Sequence, residues 1–232
     1  MKQLIDLQGR RVLVTQSAEF MGPALTRVFG ALGAEVIADP QPLGADPSLP
    51  GRIVESAGDL DVLVAHLALP VALPAPSTAV ADVEEDEWRN VFAHLVDPLP
   101  RLARAVLPRM RSRGGGRIIV MGSASALRGM KRTSTYSAAR GAQLAWVRAV
   151  GVELARENIQ VNAIAQNFVD NSTYFPAEVQ ANPAFVDRLR RDVPLGRLVS
   201  GDEDALFAAY LASDAAGCFV GQVFPLSGGW AA

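Results

Sequence analysis

Three side chains that together could support the transfer of a proton occur at a suggestive spacing in the middle of the chain. Ser123 follows an apolar run at residues 117–121 that predicts a buried strand, and Tyr136 comes thirteen residues after Ser123. Arg140 lies four residues beyond Tyr136 in a predicted helix. Residues four apart share one helix face, so the phenol and the guanidinium are expected to lie a single turn apart.

A phenol beside a fixed cation is suited to act as a base. Ionising a phenol at pH 7 costs about 4 kcal/mol, and a cation within a few ångströms recovers much of that cost. Arg140 fits this part because a guanidinium keeps its charge at any working pH. Ser123 can hydrogen-bond a substrate oxygen and hold it against the phenolate. Taken singly these are an ordinary turn serine and a surface pair, but their order and elements favour a catalytic set.

The elements that must position these residues follow from alternating apolar runs and helix patterns. Strands are predicted at residues 11–15, 34–38, 61–65, 117–121, 160–165 and 222–226, and helices at residues 21–32, 53–57, 86–111, 134–157, 183–191 and 202–213. This alternation predicts an α/β fold: a single Rossmann-like domain over residues 1–232, with a doubly wound parallel sheet and helices on both faces. Ligands bind such sheets at the carboxyl ends of the strands, where Ser123 falls.

The turn between the first strand and the first helix lacks two expected glycines. A dinucleotide-binding turn needs glycines there, because a bare backbone must approach the pyrophosphate. Residues 15–22 carry Gln16 and Phe20 at two of the three glycine positions and keep only Gly22. A side chain as large as that of Phe20 fills such a site, so we expect no nicotinamide cofactor.

These motifs resemble those of the short-chain dehydrogenase/reductase superfamily, and the resemblance runs from Arg11 to Gly229. That superfamily has a Ser…Tyr-x-x-x-Lys set and a Thr-Gly-x-x-x-Gly-x-Gly turn, whereas Arg140 stands here at the Lys position. Where the motifs of this chain differ from those of the superfamily, they resemble the motifs of one branch with the same fold, the halohydrin dehalogenases. Their signatures are a Thr-x-x-x-x-(Phe/Tyr)-x-Gly turn and a Ser…Tyr-x-x-x-Arg triad, and both are present here.

The resemblance implies a cofactor-independent reaction that converts a vicinal haloalcohol to an epoxide with release of halide and a proton. Small anions would open the epoxide in reverse. It implies catalytic roles for Ser123, Tyr136 and Arg140. The halide site carried over from the family comprises Phe20, Gln166, Asn167, Phe168 and Val169, and the expected substrate pocket comprises Ser125, Leu127, Tyr174 and Phe175. The family is tetrameric with paired long helices, so a homotetramer is expected.

Three other functions are open to comparison with the residues. Asp39, at the end of the second predicted strand, is the best sign of an NAD(P)-dependent oxidoreductase, because an acidic residue there often binds the adenosine ribose. A non-catalytic protein on a decayed scaffold is disfavoured by the intact triad. A metal enzyme is disfavoured because His66 and His94 lie in different segments without ligand spacing, which favours packing or surface roles for both.

Composition limits the partners and the compartment. A formal net charge of −2 gives no electrostatic case for binding nucleic acid or an anionic membrane. Cys218 is the single cysteine, so no internal disulfide forms, and the first residues are too polar for a signal peptide. No apolar run reaches the ~18 residues of a membrane span. We therefore expect a soluble, cytoplasmic protein.

Overall fold

A six-stranded sheet with all neighbouring strands parallel forms the centre of the molecule. The structure is a computed structural model that describes residues 5–71 and 76–231. Its strands are β1 (Arg11–Val14), β2 (Glu35–Ala38), β3 (Val62–His66), β4 (Gly116–Ser123), β5 (Ile159–Gln166) and β6 (Val223–Leu226). Its helices are α1 (Gly22–Ala31), α2 (Leu49–Ala57), α3 (Glu85–Leu95), α4 (Pro98–Ser112), α5 (Ser134–Leu154), α6 (Ala177–Gln180), α7 (Pro183–Asp192) and α8 (Gly201–Ala212). None of the helices described is both long and apolar enough to cross a bilayer.

The strand order is β2-β1-β3-β4-β5-β6, so the chain reverses its direction of travel across the sheet between β1 and β3. Helices α2, α4 and α5 bury apolar residues against one face of the sheet, and α1 and α8 cover the other. The interior strands are buried on both sides, which explains their nearly continuous apolar sequences. The predicted single-domain, doubly wound Rossmann-like fold is confirmed.

The helix predicted at residues 86–111 is wrong, because two helices occupy that stretch. Helix α3 ends at Leu95 and α4 begins at Pro98. Proline has no N–H to donate to the carbonyl four residues earlier, so its first-turn position favours a new helix over a continued one. The break leaves polar backbone groups beside α5, against which α3 also packs.

Parallel strands bring their carboxyl ends to one edge of the sheet, on either side of the reversal point. Thr15 follows β1, and His66, Ser123 and Gln166 are the last residues of β3, β4 and β5. Ligands of doubly wound sheets bind in the crevice at this edge. The fold thus gathers residues from four distant parts of the sequence into one place.

Candidate active site

A cavity of about 320 Å³ opens at the carboxyl edge of the sheet. Eleven of the twelve residues predicted from the sequence line it: Phe20, Ser123, Ser125, Tyr136, Arg140, Gln166, Asn167, Phe168, Val169, Tyr174 and Phe175. Leu127 does not. It caps the carboxyl end of the short 3₁₀ turn Ala124–Ala126 and is 39% exposed, although Ser125 within that turn lines the cavity.

Ser123 ends β4 with its side chain buried. Its Oγ accepts a hydrogen bond from the Ser125 N–H at 3.2 Å, and the two hydroxyl oxygens are 3.0 Å apart. The backbone bond fixes the place of the Ser123 oxygen, while its proton can rotate. Ser123 therefore offers a fixed hydroxyl to a ligand oxygen in the cavity.

Tyr136 and Arg140 lie on one face of α5, as their spacing predicts. The Arg140 guanidinium carbon is 5.1 Å from the centre of the Tyr136 ring. Its Nη1 donates to the carbonyl oxygens of Leu67 at 3.0 Å and Met121 at 3.2 Å, and to Gln143 Oε1 at 3.1 Å. The residue is buried, and no ion pair among the described residues includes it. Burying a cation without a carboxylate partner costs free energy, so the space beside the Arg140 guanidinium favours a negatively charged group.

The turn before α1 keeps the backbone of a glycine turn while carrying side chains. Gln16 and Phe20 have φ values of 45° and 49°, in the left-handed region that glycine prefers. Gly22 remains glycine for a steric reason, since a Cβ there would lie 2.3 Å from the backbone oxygen of Ser17. Such conformations cost on the order of 1–3 kcal/mol at each non-glycine residue. The local packing must offset that cost.

Two contacts show how the side chains of Gln16 and Phe20 fill the space that glycines would leave open at this turn. The Gln16 side-chain amide donates to the Ala68 carbonyl at 3.1 Å and accepts from the Ala68 N–H at 2.9 Å. The Phe20 ring packs on Tyr174 with 4.7 Å between ring centres. These contacts tie the turn to the segment after β3 and to the loop after β5. The Gln16 amide thus occupies backbone groups at the reversal point of the sheet.

The residues present do not fit a bound dinucleotide. Such a ligand would run from the cavity, over the turn, to the end of β2. The turn presents the side chains of Gln16 and Phe20 where backbone should be bare, and no residue of β2 lines the cavity. The carboxylate of Asp39 accepts from the backbone and side-chain N–H groups of Gln41, at 2.9 and 3.1 Å. We therefore derive no chemistry through a nicotinamide.

The loop after β5 offers fewer free N–H groups than the sequence led us to expect. The Asn167 N–H donates to Leu226, and the Phe168 N–H donates to the Asn167 side chain at 2.9 Å. For the N–H of Val169 the described residues supply no acceptor. The Gln166 Oε1 is buried and, within that same part of the chain, has no hydrogen-bond partner. An anion at this loop would therefore depend on the Val169 N–H, because the Gln166 Oε1 can only accept a hydrogen bond.

His66 lines the cavity although no site role was predicted for it. Burial, opposed by a hydrogen bond to the Gln16 carbonyl and assisted by the charge of Arg140, lowers the pKa of His66 to about 4. Its Nδ1 lies 3.1 Å from that carbonyl oxygen. His66 is therefore neutral at neutral pH. Its isolated position in the sequence gave no indication that His66 would line the cavity.

The second cavity tyrosine differs from Tyr136 in its surroundings. Desolvation, together with the nearby Tyr136 and against the opposing charge of Arg140, raises the pKa of Tyr174 to about 12. The residue is 47% exposed, but its ring packs on Phe20. Tyr174 therefore stays protonated at working pH, so it can hydrogen-bond a ligand or wall the cavity but does not act as a base.

Sequence reasoning also missed two residues of the site. Arg188 of α7 lines the cavity, lies 5.9 Å from the Phe168 ring centre and pairs with Asp192 at 3.5 Å. Gln143 is fully buried beside Arg140. The signal available in the sequence for Gln143 was its position, three residues after Arg140 in the same predicted helix. Among the described lining residues two are arginines and none is acidic, so the cavity favours anions.

A doubly wound parallel sheet with a serine and a tyrosine at its carboxyl edge is the arrangement of the short-chain dehydrogenase/reductase class, with Arg140 here in the place of the lysine. A family profile described as enoyl-(acyl carrier protein) reductase matches residues 7–231. The chain belongs to this family and, with it, to the short-chain dehydrogenase/reductase superfamily.

Known proteins similar to this chain include both a reductase and dehalogenases. The 3-oxoacyl-(acyl-carrier-protein) reductase of Pseudomonas aeruginosa is 31% identical, over 97% of this chain and 98% of its own. A solved structure titled "Dehalogenation enzyme" is 33% identical with a TM-score of 0.88, over 97% of this chain and 99% of its own. A halohydrin dehalogenase bound to ethyl (2S)-oxiran-2-ylacetate is 26% identical with a TM-score of 0.84, over 96% and 97%.

Proposed function

We propose that this enzyme converts vicinal haloalcohols to epoxides without a cofactor, and opens epoxides with small anions in reverse. One observation carries the proposal. The turn that should cradle a dinucleotide is filled by Gln16 and Phe20, while Ser123, Tyr136 and Arg140 still face one cavity. A reaction without redox change uses that combination, because it needs a base and an anion site but no hydride carrier.

In the proposed reaction, Ser123 donates a hydrogen bond to the substrate hydroxyl oxygen. The Tyr136 phenolate, stabilised by the charge of Arg140, takes the proton from that hydroxyl. The oxygen then forms a bond to the neighbouring carbon, whose bond to the halogen breaks with both electrons leaving on the halide. Epoxide, halide and a proton on Tyr136 result, and the proton then passes to solvent.

The departing halide needs a place that holds it loosely. We assign it to the side of the cavity lined by Phe20, Gln166 and Val169, where the described residues leave the Val169 N–H without an acceptor. Asn167 and Phe168 shape that loop, since their own N–H groups are already engaged. The excess of arginine over acid around the cavity favours both the released halide and an incoming anion.

The two dehalogenase structures support this proposal by overall similarity, and the ligand bound to one of them is an epoxide. The reductase of Pseudomonas aeruginosa supports a second candidate, an NAD(P)-dependent oxidoreductase with a degenerate cofactor turn. The two candidates differ in one direct observable. Only the second requires binding of NADH or NADPH.

Chloride release from 1,3-dichloro-2-propanol, measured without coenzyme, tests the proposal. We expect release by the unmodified enzyme and its loss, by a factor of about 100 or more, in Tyr136→Phe. Tyr210→Phe is the matched control, because Tyr210 lies on α8 away from the cavity. Absence of chloride release, together with NADH or NADPH binding in calorimetry, would establish the oxidoreductase instead.

A homotetramer is proposed as the working assembly. The exposed Val152 of α5 and the exposed Trp88 of α3, stacked on Phe92, support helix pairing between copies. Sedimentation of the purified protein tests this. A monomer at micromolar concentration would contradict it.

A further inference from the structure

Gln143 links the active-site arginine to a break between two helices. It lies in α5 three residues after Arg140 and is fully buried. Its Oε1 accepts from Arg140 Nη1 at 3.1 Å, and its Nε2 donates to the backbone oxygen of Leu95. One amide thus satisfies a cation on one side and a carbonyl on the other.

The Leu95 carbonyl is available because the chain breaks there. In a continuous helix it would accept from the N–H of Leu99, but that N–H donates to Val96 instead, at 3.1 Å. The break is set by Pro98, which begins α4. A buried carbonyl without a donor costs about 1–3 kcal/mol. The Gln143 amide nitrogen supplies that donor.

This arrangement fixes which end of the amide faces Arg140. A carbonyl only accepts and a guanidinium only donates, so a flipped amide would set donor against donor and acceptor against acceptor. The commitment of Nε2 to Leu95 therefore holds Oε1 toward the guanidinium. Gln143 is the one side-chain acceptor recorded for Arg140 among the described residues, beside the backbone oxygens of Leu67 and Met121.

The consequence concerns the orientation of the charge. All three hydrogen bonds recorded for the guanidinium leave from Nη1, while its Nε is buried without a partner in the described chain. The group is thus held at one corner, and the rest of it lies beside the Tyr136 ring at 5.1 Å. Loss of the Gln143 contact would leave the two backbone oxygens to hold that corner.

We propose that Gln143 is a positioning residue that sets the Arg140 charge against the Tyr136 phenol. It acts through Arg140 and contacts no substrate. The inference rests on the proposed function only in that Arg140 serves Tyr136 as the base. It extends the site beyond the cavity, because the helix break at Pro98 becomes part of the machinery that supports the phenolate.

Two substitutions test the proposal through the pH profile of chloride release. Gln143→Glu places a carboxylate beside Arg140 and offsets its charge. We therefore expect the acidic limb of the pH profile of chloride release to move to higher pH by about one unit. Activity near pH 7 then falls about tenfold and recovers at higher pH. Gln143→Met, of similar size, removes both hydrogen bonds and is expected to shift the limb in the same direction by less.

The matched control is Gln160→Glu, which makes the same change at a buried glutamine near the amino end of β5, remote from the cavity. A loss by the same factor at every pH in Gln143→Glu, or a shift equal to that in Gln160→Glu, would overturn the proposal, since either indicates a merely structural role.

A second measurement separates this inference from the proposed function. The tyrosinate absorbance of each protein is titrated and compared with the same protein carrying Tyr136→Phe, so the difference reports Tyr136 without any substrate. We expect ionisation of Tyr136 at higher pH in Gln143→Glu than in the unmodified enzyme. An unchanged difference titration overturns the inference even if chloride is released, and a shifted one supports it even if chloride is not.

Discussion

Asp204 is a buried acid whose ionisation should control the stability of the fold. It lies in the first turn of α8, is 0% exposed, and neither carboxylate oxygen has a hydrogen-bond partner among the described residues. Burial disfavours its charged form and raises its pKa from 3.8 to about 7. The folded protein therefore holds a proton on Asp204 that the unfolded chain releases near pH 4.

The sign of the effect follows from that proton. Stability from the protonated acid is fully present below about pH 4 and is lost as the pH rises through about 7. A pKa difference of about three corresponds to about 4 kcal/mol, which is an upper bound if the site admits water. Asp204→Asn keeps the shape without the charge. We expect it to be more stable than the unmodified protein by up to ~2 kcal/mol at pH 5 and by up to ~4 kcal/mol at pH 8, because the unfolded carboxyl is already ionised at pH 5.

Urea unfolding at pH 5 and pH 8 measures both values. Asp202→Asn is the matched control on the same helix, where an exposed carboxylate pairs with Arg27. The hydrogen bond from Arg27 lowers the pKa of Asp202, so this variant should show no gain at pH 8. If Asp204→Asn changes the free energy of unfolding equally at both pH values, the argument from burial is refuted.

Two further predictions concern the edge of the site. Gly22→Ala should lower stability by about 2 kcal/mol or more, because its Cβ would lie 2.3 Å from the Ser17 backbone oxygen. Gly30→Ala in the same helix has open space and should stabilise by ~0.5–1 kcal/mol, so equal thermal midpoints for the two variants would contradict us. His66, with a pKa of about 4, should stay neutral from pH 5 to 8 in an NMR titration assigned with His94→Gln. The stability that neutral His66 contributes is fully present above about pH 6.5 and is lost as the pH falls through about 4. A midpoint of the His66 titration above pH 6 would disprove this prediction.

Local sequence rules determined much of the fold and part of the site. Apolar runs of strand length, alternating with helix patterns, are enough to predict a doubly wound sheet, because each element must bury one side against another. The spacing of Tyr136 and Arg140 places them on one helix face by helix geometry alone, and the structure has them there. The missing glycines are likewise a local fact, since Gln16 and Phe20 carry side chains whatever the fold.

Other features depended on contacts between residues far apart in the sequence. The Gln16 amide pairs with Ala68, and the Gln143 amide joins Arg140 to Leu95. No period or motif encodes these pairings, because a hydrogen bond depends on where two distant backbones come to lie. The break in the helix predicted at residues 86–111 is another such feature. The sequence contains its prolines, but it does not indicate which residue donates a hydrogen bond to the freed Leu95 carbonyl.

Burial was also beyond the sequence. The same histidine or aspartate titrates normally in water and abnormally in a dry interior, so the low pKa of His66 and the raised pKa of Asp204 follow from packing. Leu127 likewise lies exposed outside the cavity, although the turn that it caps places Ser125 in the lining. The sequence by itself thus determined which groups are present and which neighbours share a helix face, because those depend on bonded geometry. Only the tertiary structure decided which groups meet across the sheet and which lose their water, because both depend on how the whole chain packs.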